Sequence, residues 1–278
     1  MPSLQNSSIM EYNKSMSKID LNLQFLFNEY ELIDRYKKAA ELGYKFVELQ
    51  NPYGIDLNEL KLLISDLGLK QVLINVDVLD ESTGIMNLAL NPNKKDEFKR
   101  RIENSVKYCD QLNVNAINCI PGPKLSDIDD SIQYDTFIEN LLYSSPLFES
   151  CGTKLLMEPI NVYDQPGFFI NNSTDGAKVV EDVNHNNFGL QYDVYHMQLM
   201  EGNLMNNIEK YISIIGHFQI ADVVGRNEPG TGEINYHTIF KHIDNLGYEG
   251  FIGAEYKPLK TTEEGLSWIK EYENIQIS

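Results

Sequence analysis

Five polar residues stand at or near the ends of short apolar runs, and their types suit the binding of a cation. They are Glu48, Glu158, Asp193, Gln219 and Glu255. Four of them are carboxylates, and an ionised carboxylate is costly to leave unpaired in a partly buried site. If they converge, they need a cation between them. All-oxygen ligands favour a hard divalent ion, Mg²⁺ or Mn²⁺, over zinc.

Each of these acids, taken alone, is explained equally well as a helix N-cap or as the partner of a surface lysine. The same coincidence at the ends of four separate runs is harder to explain in that way, so we favour a common site. Glu48, which lies on an early run, is a special case. We expect it to have a structural role or to contact a substrate rather than to ligate a metal.

The histidines restrict the metal chemistry. All five lie in the last third of the chain, and none precedes residue 185. A barrel nuclease with several zinc ions needs imidazole ligands from early as well as late strands, which this chain cannot supply. His217 and Gln219 are two residues apart on one predicted strand, so both are expected to face the same side. His196 is either a substrate contact or a packed, hydrogen-bonded loop residue.

A loop rich in Gly and Pro at 221–236 carries two further candidates, Arg226 and Glu228. The loop is either a solvated surface segment or a segment that closes over the site. The guanidinium fork of Arg226 matches a carboxylate in shape and charge. Lys257 either supplies a second cation to the substrate or neutralises the acids. The candidate substrate contacts are therefore His196, Arg226, Glu228, Lys257 and Glu48.

The elements that must position these residues alternate along the chain. Eight short apolar, β-branched or aromatic runs are separated by longer segments of helical periodicity, which indicates βαβ units around a parallel sheet. The predicted strands cover 22–27, 45–50, 70–76, 115–120, 154–160, 188–194, 216–222 and 250–256. Eight such units in about 250 residues are typical of a closed (β/α)8 barrel.

The rival architecture is a doubly wound open sheet. That fold normally has a glycine-rich phosphate-binding turn after its first strand, and NEYELID, which follows the first predicted strand, contains no glycine. We therefore predict an α/β fold, a single (β/α)8 TIM barrel over residues 18–278, with a polar N-terminal extension at 1–17. In such a barrel the chemistry lies at the C-terminal ends of the strands, where the five polar residues are expected.

The composition restricts the kinds of partner and the cellular compartment that we expect for this protein. Acidic residues outnumber basic ones 41 to 23, and a net charge of -18 would repel a phosphate backbone, so we expect no nucleic-acid partner. The three cysteines are widely spaced and make neither a disulfide framework nor a zinc site, which favours the cytoplasm. No leader-like segment and no membrane span is predicted. The sequence is compatible with a homo-oligomer.

Several long motifs resemble those of the hydroxypyruvate isomerase family, which belongs to the xylose-isomerase-like barrels. They are MEPIN (157–161) with PGFF (166–169), LQYDVYHMQLMEGNL (190–204), GHFQIADVVGRNEPGTGEINY (216–236) and GYEGFIGAEYKP (247–258). The resemblance is almost continuous from about residue 154 to the C-terminus. The first half is similar mainly in pattern, and it departs from the family at Asn118, where some relatives have histidine.

The resemblance implies an aldose-ketose type isomerase that interconverts hydroxypyruvate and 2-hydroxy-3-oxopropanoate (tartronate semialdehyde) through an enediolate. Glu158 and Glu255 match the family's acid/base pair. The same two glutamates, with Asp193 and Gln219, match its metal-ligand positions. Ketose 3-epimerases on this barrel typically carry histidine in place of Gln219, so the glutamine favours the isomerase.

A small anionic 2-oxo acid substrate also suits the cations Arg226 and Lys257, which would be superfluous for a neutral sugar. Three alternatives remain open at this stage. The first is a 2-oxo-tetronate isomerase, which would use the same metal and bases on one more carbon. The second is a ketose 3-epimerase of the same barrel family. The third is a non-catalytic barrel that binds a sugar acid and regulates a partner.

Overall fold

Eight parallel strands form a closed barrel in the computed structural model, which describes residues 18–277. Each strand pairs with the next along the chain, and the eighth pairs with the first, so the sheet has no free edge. The strands are β1 (Lys18–Asn22), β2 (Phe46–Glu48), β3 (Lys70–Asn75), β4 (Ala116–Asn118), β5 (Lys154–Met157), β6 (Phe188–Asp193), β7 (Ile215–Ile220) and β8 (Phe251–Ala254). The predicted (β/α)8 barrel is confirmed, whereas the predicted N-terminal extension at 1–17 lies outside the described residues.

Helices follow each strand and pack around the barrel. They are α1 (Leu32–Glu41), α2 (Leu57–Leu67), α3 (Lys95–Leu112), α4 (Asp130–Ser150), α5 (Ser173–Val183), α6 (Val194–Met200), α7 (Leu204–Tyr211), α8 (Tyr236–Asn245), α9 (Thr262–Gly265) and α10 (Ser267–Ile277). Local sequence sets their ends. For example, the Asp56 carboxylate accepts from the first backbone amides of α2, and Gly68, with φ of 63°, ends that helix.

The first strand lies earlier than the sequence predicts, so that prediction is wrong. Most of the apolar run at 22–27 forms turns after the strand, with Leu23, Leu26 and Phe27 buried in the main core. The strand itself is Lys18–Asn22. It lacks the usual apolar pattern because Asp20 and Asn22 are fully buried polar residues.

The later strands overlap the predicted ranges, but several end sooner. The predicted strand 154–160 ends at Met157, and 250–256 ends at Ala254. Glu158 and Glu255 are therefore each the first residue after a strand. This placement puts both carboxyl groups at the C-terminal end of the barrel, as the architecture requires of site residues.

A small apolar cluster lies on the same side of the strands as the polar site. It consists of Val72, Leu73, Ala116, Leu156, Phe46 and Phe251. Side chains two residues apart on a strand face the same side, so Ala116 lies one layer below Asn118, and Leu156 one layer below Glu158. The polar layers thus rest on an apolar one inside the barrel.

Candidate active site

A cavity of about 600 Å³ is formed by the segments that follow the strand ends. Five of the predicted site residues line it, namely Glu158, His196, Arg226, Glu255 and Lys257. Other walls are apolar, with side chains such as Phe25, Val76, Met86, Ile120 and Ile160. The volume lies in the range of small-molecule sites, so the structure brings these residues together around a space that a small substrate can occupy.

Two acids and a histidine form a close polar group, of which Glu158 and His196 line the cavity. Ligand atoms of Glu158, Asp193 and His196 all lie within 4.8 Å of one another. His196 Nε2 is 3.7 Å from Glu158 Oε1 and 3.5 Å from Asp193 Oδ2. Asp193 ends β6 and also accepts from the first backbone amides of α6, which holds its carboxylate in place.

The guanidinium of Arg226 lies beside two acids of the site and balances part of their negative charge. Its Nη2 donates to Glu255 Oε1 and lies 3.8 Å from Asp193 Oδ2. The guanidinium stacks on two rings, with its central carbon 4.6 Å from the centroid of Phe25 and 5.1 Å from that of Tyr195. Arg226 is thus held between aromatic faces, where a guanidinium is favourably placed.

The loop that carries Arg226 is organised by one buried carboxylate. Asp222, fully buried, accepts from the backbone amides of Val223, Gly230, Gly232 and Ile234 at 2.9 to 3.0 Å. The backbone of the loop is therefore built around an internal acceptor rather than solvated along its length. Of the two interpretations left open by the sequence, this packing favours a segment with a defined position over a solvated surface loop.

Burial and mutual repulsion raise the pKa values of the acids. Burial raises the pKa of Glu158 well above its ordinary value, and the neighbouring charges of Glu255 and Asp193 add to the effect. Burial raises the pKa of Glu255 to about 8 and that of Asp193 to about 6, although Arg226 opposes both shifts. Burial, with the charge of Arg226, holds the pKa of His196 well below its ordinary value. The pKa values of Asp193 and Glu255 therefore lie on either side of neutral pH, a range suited to proton transfer.

Side-chain amides orient the two glutamates. Asn118 Nδ2 and Gln191 Nε2 donate to Glu158 Oε2 at 2.8 and 2.9 Å. Gln50 Nε2 donates to Glu255 Oε1 at 3.1 Å. Because Oε2 of Glu158 is held by two donors, its Oε1 is the atom left to face His196 and the cavity. In the sequence, Asn118 stands out only as a departure from the family, and Gln191 and Gln50 do not stand out at all.

Gln219 lies one layer deeper than the cavity wall. Its Oε1 accepts from Gln191 Nε2 at 2.6 Å, and its Nε2 donates to Glu48 Oε1 at 2.7 Å. Glu48 is fully buried and also accepts from Asn22 and pairs with His217 Nε2 at 2.9 Å. His217 and Gln219 thus face the same side, as predicted. Gly253 leaves room for Glu48, since a Cβ there would lie 2.7 Å from its carboxylate oxygens.

Asp20 and Glu48 form a buried carboxyl pair whose pKa values are shifted in opposite directions. Burial and the charge of Glu48 raise the pKa of Asp20 well above its ordinary value. Against burial, the hydrogen bond and charge of His217 lower the pKa of Glu48. Both oxygens of Asp20 lack a hydrogen-bond partner in the part of the chain that the structure describes. Asp20 is therefore the member of the pair that holds a proton more readily.

We predict that Asp20→Asn makes stability less dependent on pH. An acid whose pKa is raised by folding contributes stability below its ordinary pKa of 3.8, and loses that contribution as pH rises toward the folded-state pKa. Asparagine does not titrate, so the variant's Tm should fall less than that of wild type between pH 5 and pH 8. Each kcal/mol corresponds to about 2 to 4 °C for a chain of this size. Equal pH dependence in calorimetry would contradict a protonated Asp20.

The donor set fits a hard divalent cation. Asp193 Oδ2 and Glu255 Oε2 are buried and accept no hydrogen bond from any described residue. A buried acceptor without a donor is costly, and a cation between the acids would satisfy both atoms. Glu158 adds a third carboxylate, and Gln219 adds an amide oxygen that here accepts from Gln191. Oxygen ligands of this kind suit Mg²⁺ or Mn²⁺.

Two predicted substrate contacts are not brought to the cavity wall. Glu48 is fully buried beneath it and holds Gln219, which agrees with a structural role and not with a substrate contact. Glu228 Oε2 accepts from the backbone amide of Leu259 at 3.0 Å, so its carboxylate supports the segment after β8. Of the two roles expected for Glu48, the structure favours the structural one, and for Glu228 it shows a contact with the backbone in place of a position on the cavity wall.

The structure between residues 18 and 277 contains no helix of the length and apolarity needed to cross a membrane.

Comparisons with known proteins agree on one family. Residues 36–272 match the family described as Xylose isomerase-like TIM barrel. Hydroxypyruvate isomerase of Escherichia coli (strain K12) is 39% identical over 257 residues, covering 92% of this chain and 100% of the relative. The 2-oxo-tetronate isomerase of Cupriavidus necator is 35% identical over 257 residues, covering 92% of this chain and 99% of the relative.

A solved structure shares the whole architecture. It is described as an AP endonuclease, family 2, from Brucella melitensis, and it is 33% identical with a TM-score of 0.89. The alignment covers 92% of this chain and 99% of that chain. Fold, family match and relatives of more than 30% identity all agree. The chain therefore belongs to the xylose isomerase-like TIM-barrel family, as a relative of hydroxypyruvate isomerase, and is an isomerase.

Proposed function

We propose that the protein interconverts hydroxypyruvate and 2-hydroxy-3-oxopropanoate through an enediolate. The observation that carries this proposal is the pair Glu158 and Glu255, which line one cavity and both have raised pKa values. An aldose-ketose isomerisation moves one proton between adjacent carbons, and a group that exchanges protons near neutral pH is suited to that transfer. The names of the two curated relatives support the same reaction type.

We further propose Glu158, Asp193, Gln219 and Glu255 as the ligands of a Mg²⁺ or Mn²⁺ ion. Such an ion would polarise the carbonyl and hydroxyl oxygens of the substrate and favour the enediolate. The support is the all-oxygen donor set and the unsatisfied oxygens of Asp193 and Glu255. The two glutamates would then serve as ligands and as proton-transfer groups.

The protein's own residues orient the proton transfer. Glu158 is held through Oε2 by Asn118 and Gln191, so Oε1 is the atom in position to take or return the proton. Glu255 is held through Oε1 by Gln50 and Arg226, and its Oε2 is the corresponding atom. Preorganised carboxylates of this kind need little rearrangement at the moment of reaction.

The substrate's carboxylate would bind to the cationic side of the cavity. Arg226 Nε is buried without a hydrogen-bond partner among residues 18–277, so the guanidinium has donor capacity beyond Glu255. Lys257 lines the same cavity and is exposed at its rim. These cations would neutralise an anion that the net charge of -18 otherwise repels.

We predict that Arg226→Ala raises the KM for hydroxypyruvate by roughly tenfold or more, because a charge-assisted contact of about 1.5 to 3 kcal/mol is lost. The KM for a neutral ketose should rise less. Steady-state kinetics of Arg226→Ala and Lys257→Ala with both kinds of substrate provide the measurement. If both variants bind hydroxypyruvate as tightly as wild type, these two cations do not hold its carboxylate, and a neutral sugar becomes the better candidate.

A 2-oxo-tetronate isomerase is the second candidate, favoured by the volume of the cavity. About 600 Å³ leaves room for a fourth carbon beside the same acids. The deciding experiment is a coupled assay of purified protein with hydroxypyruvate and 2-oxo-tetronate in parallel, with and without chelator. A higher kcat/KM for hydroxypyruvate supports the first proposal. Turnover of neither acid would leave the ketose 3-epimerase and the non-catalytic barrel that binds a sugar acid.

A nuclease activity, which the name of the Brucella relative suggests, is not supported by the site. Of the five histidines, His196 is the one that lines the cavity, whereas a multi-zinc centre needs several imidazole ligands. The net charge of -18 also opposes binding to a polynucleotide.

We propose a cytoplasmic enzyme, because all three cysteines are free thiols, two of them buried.

A further inference from the structure

Asn161 lies in the loop after β5, beside the cavity, and its side chain has a single possible orientation. It is fully buried. Its Oδ1 accepts from the backbone amides of Tyr163 and Asp164 at 3.0 and 2.8 Å. Backbone amides only donate, so the atom that faces them must be the oxygen, and the NH₂ group must point the other way. The hydrogen-bond network thus removes the usual ambiguity of a side-chain amide.

The NH₂ group of Asn161 determines which nitrogen of His196 carries the proton. Asn161 Nδ2 is 2.6 Å from His196 Nδ1 and 3.0 Å from Asp164 Oδ2, so each of its two hydrogens has an acceptor. Since Nδ2 can only donate, Nδ1 of the imidazole must accept. A neutral imidazole whose Nδ1 accepts carries its hydrogen on Nε2.

The protonated nitrogen faces the reacting groups. His196 is 2% exposed and lines the cavity, with Nε2 3.7 Å from Glu158 Oε1 and 3.5 Å from Asp193 Oδ2. An Nε2 that carries hydrogen has no lone pair for a metal. In this tautomer His196 cannot be a metal ligand, although its position beside Glu158 and Asp193 would otherwise suit a ligand.

We propose that Asn161 is a positioning residue that holds His196 as an Nε2–H donor toward the substrate. The donor would stabilise the substrate oxygen on which negative charge develops during isomerisation. The identity of that substrate rests on the proposed function, whereas the tautomer of His196 does not. Asn161 thereby prevents His196 from acting either as a base or as a metal ligand.

The first measurement is ¹⁵N NMR of histidine-labelled full-length protein without added metal, assigned with His196→Gln. We expect the Nδ1 resonance of His196 at the position of an unprotonated ring nitrogen and the Nε2 resonance at that of a protonated one. A protonated Nδ1 in the wild-type protein would overturn the proposal. This measurement needs no substrate, so its result is independent of whether the isomerase activity is found.

The second measurement compares Asn161→Asp with a matched control. The aspartate keeps an acceptor for the two backbone amides but loses the donor to His196, so we expect the proton to appear on Nδ1. Asn172→Asp is the control, because Asn172 likewise caps a backbone amide and donates to an aspartate three residues later, Asp175, away from the cavity. It should leave the His196 resonances unchanged. Unchanged resonances in Asn161→Asp would contradict the proposal.

A double-mutant cycle then connects the tautomer to turnover. We expect Asn161→Asp to lower kcat by about tenfold in the wild-type background. In His196→Gln, the side-chain amide supplies a donor that does not depend on a tautomer. Asn161→Asp should therefore lower kcat less in that background. Equal losses in both backgrounds would show that Asn161 does not act through His196, and would overturn its positioning role.

Discussion

Replacing Glu158 or Glu255 with glutamine is expected to lower kcat by roughly 10²-fold or more, the loss typical of removing a general acid or base. Glutamine has nearly the same shape, but it cannot take up or release a proton. Both side chains are held by amide donors, so the variants should keep the geometry of the site. The measurement is steady-state turnover of hydroxypyruvate by each purified variant.

Stability separates a catalytic loss from misfolding in this experiment. Burial and the charges of Glu255 and Asp193 raise the pKa of Glu158, so a neutral glutamine there removes an unfavourable charge and the Tm of Glu158→Gln should not fall. Glu255→Gln also removes the charge that pairs with Arg226, so a lower Tm is expected for that variant, and its turnover is measured below the onset of unfolding. Glu233→Gln is the matched control, because Glu233 is exposed on the same loop as Arg226, where it accepts from Gln198. Near-normal turnover by either active-site variant would refute the paired-glutamate mechanism.

Removal of divalent metal is expected to abolish activity, and Mg²⁺ or Mn²⁺ should restore it. The physical reason is the oxygen-rich donor set of Glu158, Asp193, Gln219 and Glu255, which suits hard cations. The experiment is dialysis against chelator followed by titration with each ion, with the metal content checked by elemental analysis. Full activity in protein shown to be metal-free would end this proposal.

Metal affinity should also rise with pH between about 6 and 8. Without a cation, the raised pKa values of about 6 for Asp193 and about 8 for Glu255 mean that protons occupy the site below these values. A cation must displace those protons, so binding releases them and strengthens as pH rises. Calorimetry in buffers of different ionisation enthalpy measures the number released. An affinity that does not depend on pH would show that other groups bind the ion.

The fold was largely predictable because the barrel repeats one simple pattern. Apolar strands buried on both faces alternate with helices of regular periodicity, and both signals are local in sequence. The exception was β1, whose buried side is polar at Asp20 and Asn22. Asn22 donates to Glu48 on the neighbouring strand, and the Asp20 carboxyl lies within 4.8 Å of the same residue, so both belong to one buried polar group. No property of residues 18–22 alone reveals that partner.

The acids of the site were predictable for a related reason. A carboxylate at the end of an apolar strand conflicts with its surroundings, and this conflict is visible in the sequence at Glu158, Asp193 and Glu255. The residues that hold them were missed. Gln191 is an ordinary polar residue within its strand, and Asn161 looks like any loop asparagine. Their roles depend on partners that lie 33 and 35 residues away along the chain.

The sequence by itself therefore determined the barrel, the family resemblance and the strand ends that carry acidic residues, because each follows from local pattern and residue type. Only the tertiary structure decided how that charge is used. It placed Glu48 beneath the cavity, moved Glu228 away from it, and paired Arg226 with Glu255. Such choices depend on distances of a few ångströms between different strands. Hydrogen bonds and pKa values respond to those distances, and sequence spacing does not encode them.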